Sequence, residues 1–295
     1  MIGRLPRGRL QVPRLKSYER LGAVITGASS GIGRILALRL AERGAHIALV
    51  ARREAELEAV AGEIRRLCPG GPDPLILPCD VGVAGQVAAA AERAIAGLGT
   101  VDLLVNNAGY GHHRRFLDWD LADMERMMRV NYLGALYWTK ALLPKMIERG
   151  SGWLVFMASV AGKIGTPEEA AYSASKFAMV GLAEALSLEV EDAGVHVLTV
   201  CPGVIRTPFF DQEALARMPP VARRSMVDPE DLVDAILSAL ARGKHEITYP
   251  RAIAAAYAVR GLAPGFMRRQ VKRTTLGALA REQRRSSKHR QGNDD

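Results

Sequence analysis

A glycine-rich turn between a predicted strand and a predicted helix constrains the fold of this chain more than any other feature. The apolar stretch Leu21–Thr26 predicts a β-strand, and the amphipathic stretch Arg34–Arg43 predicts a helix. The turn Gly27–Gly33 joins them, with glycines spaced GxxxGxG rather than GxGxxG. A strand, a glycine turn and a helix place backbone N–H groups and a positive helix end where a pyrophosphate can bind. A glycine turn without a ligand is the alternative for this stretch taken alone.

The alternation of strand and helix continues along the chain. The predicted elements are the strand His46–Ala51, helix Glu54–Leu67, strand Leu75–Cys79, helix Gly85–Leu98, strand Val101–Val105, helix Asp120–Glu148 (interrupted or kinked near Pro144), strand Trp153–Ala158, helix Tyr172–Glu191, strand Val195–Val200, helix Glu230–Ala241 and strand Glu246–Tyr249. This order predicts an α/β fold: a single domain with a doubly wound, parallel, Rossmann-type sheet and helices on both faces. Ligands of such sheets bind beyond the carboxyl ends of the strands, where Asp80, Asn106, Ser159 and Pro202 fall.

The composition excludes several other classes of protein. With 295 residues, 48% hydrophobic and 24% charged, the chain has the composition of a globular domain. Its three cysteines are scattered and lack CxxC spacing, which argues against a disulfide framework or a zinc site and favours a reducing compartment. No run approaches the ~18 apolar residues of a membrane-spanning helix, and the N-terminus lacks the apolar region of a secretory signal. We therefore expect a cytoplasmic protein, with peripheral membrane contact as an additional expectation.

The net charge of +9 is concentrated at the two ends of the chain. Residues 1–20 contain six Arg or Lys and one Glu, whereas residues 251–295 contain eleven Arg or Lys and three acidic residues. The middle of the chain is consequently mildly acidic. We expect a basic N-terminal arm at 1–20, a dinucleotide-binding catalytic domain at 21–250, and a basic C-terminal extension at 251–295 that is partly helical and then disordered.

Tyr172 and Lys176 lie four residues apart in a predicted helix, so their side chains share one face. A phenol titrates near pH ~10 in water, and a nearby ammonium favours the phenolate and lowers this pKa. Such a pair is suited to passing a proton to or from an alcohol or carbonyl oxygen. Because the same spacing is common on solvated helix faces, the interpretation depends on the other motifs.

A series of motifs resembles that of the short-chain dehydrogenase/reductase family. In order along the chain they are Thr26–Gly33, Cys79–Asp80–Val81, Asn106–Asn107–Ala108–Gly109, Asn131, Ser159, Tyr172-xxx-Lys176, and Pro202–Gly203 through Thr207. The thirteen-residue spacing from Ser159 to Tyr172 also fits the family. The resemblance extends over about residues 20–250 and does not include the arm, the tail or the substrate loops.

The resemblance implies NAD(P)-dependent oxidation of an alcohol or reduction of a ketone or aldehyde. It further implies that Ser159 holds the reacting oxygen, Tyr172 transfers the proton, and Lys176 favours the phenolate and binds the nicotinamide ribose. Asn131 is implied to hold a water that links Lys176 to solvent, although taken singly Asn131 is also compatible with a helix cap or kink. The cofactor-binding residues implied by the resemblance, with Asp80 at the adenine, are Gly27, Ser29, Ser30, Gly31, Ile32, Gly33, Asp80, Val81, Asn107, Ala108, Gly109, Tyr172, Lys176, Pro202, Gly203, Ile205 and Thr207.

The end of the second predicted strand favours NADP(H) over NAD(H). NAD sites usually place an acidic residue there to bind the ribose 2′-hydroxyl, whereas arginine accommodates a 2′-phosphate. No Asp or Glu occurs between His46 and Arg53. Arg52, together with Arg53 or Arg34, is expected to bind the phosphate through charge-assisted hydrogen bonds. The alternative is that Arg52 or Arg53 starts the next helix in solvent.

Two segments are candidates for the substrate pocket. Tyr110–Arg115 follows the cofactor turn and is expected to form a wall; its arginines are a solvated charge run or, alternatively, an anion site. We expect no metal there, because adjacent histidine side chains diverge and no matching ligands are visible. Val204–Asp228 resembles the mobile lid of the family, and its aromatic residues favour an apolar substrate; the large apolar residues of this segment are Phe209, Phe210 and Met218.

The C-terminal tail and the helix after Tyr172 lead to predictions about membrane, nucleic-acid and subunit partners. Segments 252–259, 266–273 and 276–285 predict short helical pieces with basic flanks. They either attach peripherally to an anionic membrane or, as we slightly prefer, pack over the pocket or a second subunit and end in disorder. Specific nucleic-acid binding is not expected, because no recognition module accompanies the charge. The helix stretch 177–183 is apolar nearly all round, which predicts a homodimer or homotetramer.

Three functions agree with these motifs. The first is an NADP(H)-dependent oxidoreductase that acts on a small-molecule carbonyl or secondary alcohol, apolar or lipid-like. The second is a reductase of 3-oxoacyl groups on a carrier protein, where Arg126 and Arg129 would meet an acidic carrier. The third is a non-catalytic NADP(H)-sensing protein on the same fold. The presence of all four residues Asn131, Ser159, Tyr172 and Lys176 favours an enzyme.

Overall fold

The computed structural model describes residues 14–209, 218 and 220–276. In chain order its strands are β1 (Gly22–Thr26), β2 (His46–Ala51), β3 (Leu75–Pro78), β4 (Leu103–Asn106), β5 (Gly152–Met157), β6 (Val195–Pro202) and β7 (Glu246–Tyr249). Its α-helices include α1 (Gly31–Ala41), α2 (Glu54–Leu67), α3 (Ala84–Leu98), α4 (Leu121–Met128), α5 (Gly134–Arg149), α6 (Ala170–Val190), α7 (Pro220–Arg224), α8 (Pro229–Arg242), α9 (Ala254–Leu262) and α10 (264–276).

The seven strands form one parallel sheet in the order β3-β2-β1-β4-β5-β6-β7. Successive strand residues enter different layers: Val24 packs with α3, α5 and α6, whereas Ile25 packs with α1, α2 and α8. Because both faces are covered, β1 and β6 are buried along their whole length and are mostly apolar. The predicted doubly wound α/β fold is confirmed. The strand order reverses between β1 and β4, and this switch point opens the crevice in which such folds bind ligands.

The predicted helix Asp120–Glu148 is interrupted, but the position predicted for the interruption is wrong. Pro144 lies inside α5, which continues to Arg149. The break occurs earlier, at a π-helical turn over Arg129–Leu133 that separates α4 from α5. Such turns occur frequently at functional sites, and this one contains the buried Asn131.

The described ends of the chain lie against the body of the fold. Leu15 is buried, and its main-chain N–H donates to the Leu240 carbonyl, while the Tyr18 hydroxyl donates to the Leu237 carbonyl. At the other end, Ile253 packs against Gly203, and Thr248 donates to the Tyr257 hydroxyl. Residues 14–20 therefore extend the core beyond the predicted domain start. Within the described part of the chain, no helix has the length and apolar character needed to span a bilayer.

Candidate active site

The glycines of the first turn allow close approach of backbone segments. Gly27 and Gly31 have φ angles of +67° and +54°, in the left-handed region that favours glycine. At Gly33 a Cβ would lie 2.3 Å from the Gly27 carbonyl oxygen and 2.6 Å from the Asn107 amide nitrogen. Any side chain at Gly33 would therefore push α1 away from the turn. Gly33 does not line the cleft described below; it permits the packing that forms it.

A hydrogen-bonded junction ties the end of β1 to the end of β4. The buried Thr26 hydroxyl donates to the Val105 carbonyl at 3.1 Å and accepts from the main-chain N–H groups of Asn107 and Ala108 at 2.9 and 3.0 Å. The side-chain amide of Asn107 donates to the Thr26 carbonyl at 2.8 Å. The junction fixes the base of the crevice at the switch point. Thr26 is not among the predicted site residues, although it is part of the motif quoted above.

A cleft of about 390 Å³ opens over this junction. Most of the predicted cofactor residues line it, namely Gly27, Ser29, Ser30, Gly31, Ile32, Arg52, Arg53, Asp80, Val81, Asn107, Ala108, Gly109 and Thr207. The prediction did not include Ala51, Cys79, Tyr110, Val130, Pro208 or Phe209, which also line it. The volume lies within the ~300–1,000 Å³ typical of small-molecule sites. Backbone N–H groups at the start of α1 and an arginine at the far wall fit a dinucleotide that carries several phosphates.

The three arginines considered for a 2′-phosphate have different surroundings. Arg34 forms a salt bridge with Glu63, and Arg53 forms one with Glu56, so each guanidinium already has a carboxylate partner. Arg52, at the end of β2, lines the cleft, is exposed, and forms no salt bridge with any described residue. Arg52 is therefore the candidate that the structure leaves available.

Asp80 closes the side of the cleft beyond β3. One carboxylate oxygen accepts from the Gly82 N–H at 2.9 Å, and the other lies 3.2 Å from the Arg126 guanidinium. Arg126 is thus engaged at the nucleotide cleft, which weakens its assignment to a carrier-protein surface.

A smaller pocket of about 80 Å³ contains the candidate catalytic groups Ser159, Tyr172 and Lys176. The two spaces adjoin, because five residues line both of them: Ile32, Asn107, Gly109, Thr207 and Phe209. The predicted residues that line only the smaller pocket, besides the catalytic three, are Pro202, Gly203 and Ile205; Met157 and Ala158 were not predicted. The fold therefore brings the end of β5, the start of α6 and the end of β6 to one point.

Local structure fixes the orientation of each catalytic side chain. Ser159 caps a short 3₁₀ turn by accepting from the Ala161 N–H at 3.1 Å, and its hydroxyl donates to the Pro202 carbonyl at 3.5 Å. It lines the same pocket as Tyr172. The Lys176 ammonium donates to the Met157 carbonyl at 2.7 Å and lies 5.7 Å from the centre of the Tyr172 ring. Tyr172 and Lys176 thus share a helix face, as their spacing predicts.

The expected lowering of the Tyr172 pKa is not found in this structure. The Tyr172 residue is only partly buried, but its hydroxyl is enclosed, and this burial raises the pKa of the phenol well above its usual value. The Ser159 hydroxyl opposes the increase, because it can donate to the phenolate, and the negative charge of Glu169 adds to the increase. Burial also lowers the pKa of Lys176 to about 8. Desolvation therefore dominates the pKa of Tyr172, whereas the sequence argument considered only the attraction between phenolate and ammonium.

Asn131 is a fully buried link between the π-helical turn and the loop after β4. Its side-chain oxygen accepts from the Tyr110 N–H at 2.9 Å, and its nitrogen donates to the Tyr110 carbonyl at 2.9 Å and the Ser175 hydroxyl at 3.0 Å. A Cβ on Gly109 would lie 3.1 Å from the Asn131 oxygen and 3.5 Å from the Lys176 nitrogen. Asn131 therefore lies beside Lys176 but does not line the pocket, and the water role implied for it stays a prediction.

The predicted pocket walls meet over Tyr172. A Cβ on Gly111 would lie 2.8 Å from the Tyr172 ring, and the Phe209 ring centre lies 5.7 Å from that ring. His113 lies 3.4 Å from Glu169, whose carboxylate also accepts from the Thr166 hydroxyl.

Further out, Arg114 and Arg115 lie 3.8 and 3.9 Å from Asp123 and Glu168. Both arginines thus have acidic neighbours, which weakens the case for an anion site there. Met218 is buried, whereas Phe210 lies outside the described residues.

Fold and site together define a dinucleotide-dependent oxidoreductase, and comparison with known proteins identifies the family. The family model described as short chain dehydrogenase matches residues 22–217. The chain is 36% identical over 252 residues to dehydrogenase/reductase SDR family protein 7-like of Drosophila melanogaster, covering 82% of this chain and 77% of that protein. It is 40% identical over 193 residues to 3-ketodihydrosphingosine reductase of Bos taurus, covering 64% of this chain and 58% of that protein.

Solved structures of similar fold point to the same family. A short chain dehydrogenase/reductase from Burkholderia phymatum in complex with NAD has a TM-score of 0.76 and 26% identity, over 85% of this chain and 96% of that chain. A metagenomic short-chain oxidoreductase in complex with NADP has a TM-score of 0.67 and 29% identity, over 79% and 97%. The chain belongs to the short-chain dehydrogenase family. It is an oxidoreductase acting on CH–OH groups with a nicotinamide cofactor.

Proposed function

We propose that this protein transfers a hydride between NADP(H) and a carbonyl or secondary alcohol of an apolar or lipid-like substrate. The observation that carries the proposal is that Ser159, Tyr172 and Lys176 line one small pocket, which adjoins the dinucleotide cleft. Asn131, Ser159, Tyr172 and Lys176 are the proposed catalytic set. The nicotinamide, when bound, would supply or accept the hydride.

The residues have distinct proposed roles. Ser159 orients the reacting oxygen by a hydrogen bond, which holds it close to the Tyr172 hydroxyl. Tyr172 gives a proton to that oxygen during reduction and takes it back during oxidation. Lys176 stabilises the phenolate that forms, and Asn131 positions the loop that flanks Lys176. These roles explain why the π-helical turn, helix α6 and the end of β5 bring the four side chains to one region of the fold.

The preference for NADP(H) is supported by Arg52. It is the unpaired arginine at the end of β2, where a 2′-phosphate would approach, and no acidic residue is available there to bind a 2′-hydroxyl. One charge-assisted hydrogen bond contributes ~1.5–3 kcal/mol, which corresponds to roughly 10- to 100-fold in affinity.

An apolar substrate is supported by the walls of the smaller pocket. Phe209, Ile205 and Met157 line it, and the Phe209 ring covers Tyr172. Two relatives are named for reduction of a long-chain ketone, the bovine protein above and 3-dehydrosphinganine reductase of Danio rerio, which is 39% identical over 58% of its own length. The reactive group would enter this pocket while the rest of the substrate extends outside it.

We also propose a homo-oligomer formed through α5 and α6, and peripheral membrane contact through the basic tail. Phe177 and Leu188 on α6 and Ile147 on α5 are exposed large apolar side chains, and a Cβ on Gly181 would meet nothing within 4 Å. Such a surface is suited to burial by a second subunit. The proposed domain limits stay at 1–20, 21–250 and 251–295, with residues 14–20 packed on the catalytic domain.

A panel of ketones and alcohols, followed by nicotinamide absorbance with each cofactor, tests the proposal. We expect turnover of long-chain or cyclic apolar ketones with NADPH, and a loss of about 10³-fold or more in Tyr172→Phe with little change in NADPH affinity. A protein that binds NADPH but turns over no member of the panel, and is unaffected by Tyr172→Phe, would be a sensor. Turnover confined to acyl chains on a carrier protein would favour the carrier-bound alternative.

A further inference from the structure

A groove of about 520 Å³ separates the C-terminal helices from the loop that follows Ser159. We call it the tail groove; it is lined by Ile164, Gly165, Thr166, Pro167, Arg260, Pro264, Met267, Arg268, Val271, Lys272 and Leu276. It does not share a residue with either cleft of the active site. Its volume is nevertheless in the range of small-molecule sites, ~300–1,000 Å³.

The lining of the tail groove combines an apolar surface with cations. Ile164, Met267 and Val271 supply aliphatic contacts, and Leu276 extends them along α10. Arg260 is already engaged, since it donates to the Lys163 carbonyl and lies 5.2 Å from the centre of the Phe177 ring.

Arg268 and Lys272, one helical turn apart, have no salt bridge with any described residue. Two unpaired cations beside an apolar groove are suited to an anion that carries a hydrocarbon chain.

The charges around the groove disfavour the segment of the chain that follows α10 as its occupant. The sequence contains no Asp or Glu from 251 to 281, so nothing on the C-terminal helices neutralises Arg268 and Lys272. The chain that follows α10 holds five Arg or Lys between 281 and 290 against the single acid Glu282. Like charge therefore disfavours this segment as the occupant of the groove. Glu168 and Glu169, which follow the opposite wall in the chain, interact with Arg115 and His113 respectively.

We propose that the tail groove binds a single-chain amphiphile with an anionic headgroup, its chain against Met267 and Val271 and its headgroup at Arg268 and Lys272. The inference is independent of the reaction assigned above, because it concerns binding at a separate surface. The groove nevertheless adjoins the catalytic helix: the Thr166 N–H lies 3.5 Å from the Ser173 hydroxyl, next to Tyr172. An occupant would therefore rest on the segment that connects Ser159 to Tyr172.

Titration calorimetry on the full chain tests the proposal with dodecyl phosphate below its micelle concentration. Dodecanol tests the need for the anion, and inorganic phosphate tests the need for the chain. We expect dodecyl phosphate to bind at least ten-fold more tightly than either. Equal affinity for dodecyl phosphate and inorganic phosphate would overturn the proposal, because the groove would then act only as a cationic patch.

Two double variants of α10 provide a matched comparison. Arg268→Gln with Lys272→Gln removes two cations that line the groove, whereas Arg269→Gln with Arg273→Gln removes two exposed cations of the same helix that do not. We expect the first pair to weaken dodecyl phosphate binding ten- to 100-fold and the second to change it less than about three-fold. Equal losses in the two pairs would contradict a defined site.

A third variant and a vesicle control separate the groove from a bilayer surface. Val271→Trp should block the groove without changing its charge, and we expect it to abolish dodecyl phosphate binding while the melting temperature stays close to that of the parent. The control measures binding of each protein to vesicles of phosphatidylcholine with phosphatidylglycerol. If the charge of α10 alone attracts the vesicles, the two double variants should lose vesicle binding equally. Binding to these vesicles without any binding of monomeric dodecyl phosphate would refute the groove and assign α10 to the membrane surface.

Discussion

The Lys176 ammonium lies 5.7 Å from the centre of the Tyr172 ring, one helical turn along the same face of α6. It is buried, and its hydrogen bond goes to a main-chain carbonyl, that of Met157, rather than to a carboxylate. Burial lowers its pKa to about 8, and no carboxylate of the described residues forms a salt bridge with it. The site therefore holds a cation whose charge becomes fully favourable only when a phenolate forms beside it.

Replacing Lys176 by Met should change the pH dependence of stability. The pKa of Lys176 is lower in the folded chain than in the unfolded chain, so between these values the unfolded state binds more protons and stability rises with pH. We expect the free energy of unfolding of the parent, relative to Lys176→Met, to increase by roughly 2 kcal/mol from pH 7.5 to pH 9.5. Urea unfolding at the two pH values measures this difference. A constant difference between the proteins would show that the ammonium is not desolvated.

Glu169→Gln should move the pH dependence of alcohol oxidation to lower pH. The Glu169 carboxylate raises the pKa of Tyr172, so its neutralisation lowers that pKa and allows the phenolate to form at lower pH. The measurement is the rising limb of kcat/KM against pH. Glu184→Gln, an exposed carboxylate on the same helix, is the control and should leave the limb in place. A limb that moves equally in both variants, or in neither, contradicts a local effect of Glu169.

Much of the site was predictable because it depends on local sequence. The glycines of the first turn and the spacing of Tyr172 and Lys176 are properties of one βα unit and one helix, and both are found as predicted. The strands His46–Ala51 and Glu246–Tyr249 have the predicted bounds. After His46 the strand His46–Ala51 is a continuous, buried apolar run, so its limits are visible without knowledge of its partners.

The remainder depends on tertiary contacts that no single segment reveals. The π-helical turn at Arg129–Leu133 is stabilised through Asn131, whose partners are Tyr110 and Ser175. The salt bridge of Arg53 to Glu56 was readable from a three-residue spacing, but that of Arg34 to Glu63 joins two helices. The increase in the Tyr172 pKa likewise follows from burial, which local spacing does not report. Local spacing therefore predicts which candidate side chains lie together better than it predicts their electrostatic state.

Arg52→Gln should reduce the preference for NADPH over NADH by roughly 10- to 100-fold, because one charge-assisted contact with the 2′-phosphate is lost. The change should appear in the dissociation constant of NADPH and not in that of NADH. Arg53→Gln is the matched control: it also lines the cleft, but it is paired with Glu56. Its effect should be smaller than about three-fold. A larger effect at Arg53 than at Arg52 would reverse the assignment of the phosphate-binding residue.

Thr26→Val should destabilise the fold and the cofactor cleft together. Valine matches the shape of threonine but leaves the Ala108 N–H without the buried hydroxyl that accepts from it, whereas the Asn107 N–H keeps its 3.0 Å bond to the Val105 carbonyl. At ~1–3 kcal/mol for one buried group left unpaired, we expect a loss of about 2 kcal/mol in the free energy of unfolding, measured with urea. Thr26→Ser keeps the hydroxyl and removes only a methyl group, so its loss should be near ~1 kcal/mol. The N–H groups that donate to the Thr26 hydroxyl belong to Asn107 and Ala108, which line the cleft. Thr26→Val should therefore also weaken NADPH binding more than Thr26→Ser. Equal stability of the two variants would mean that the junction between β1 and β4 is maintained by packing alone.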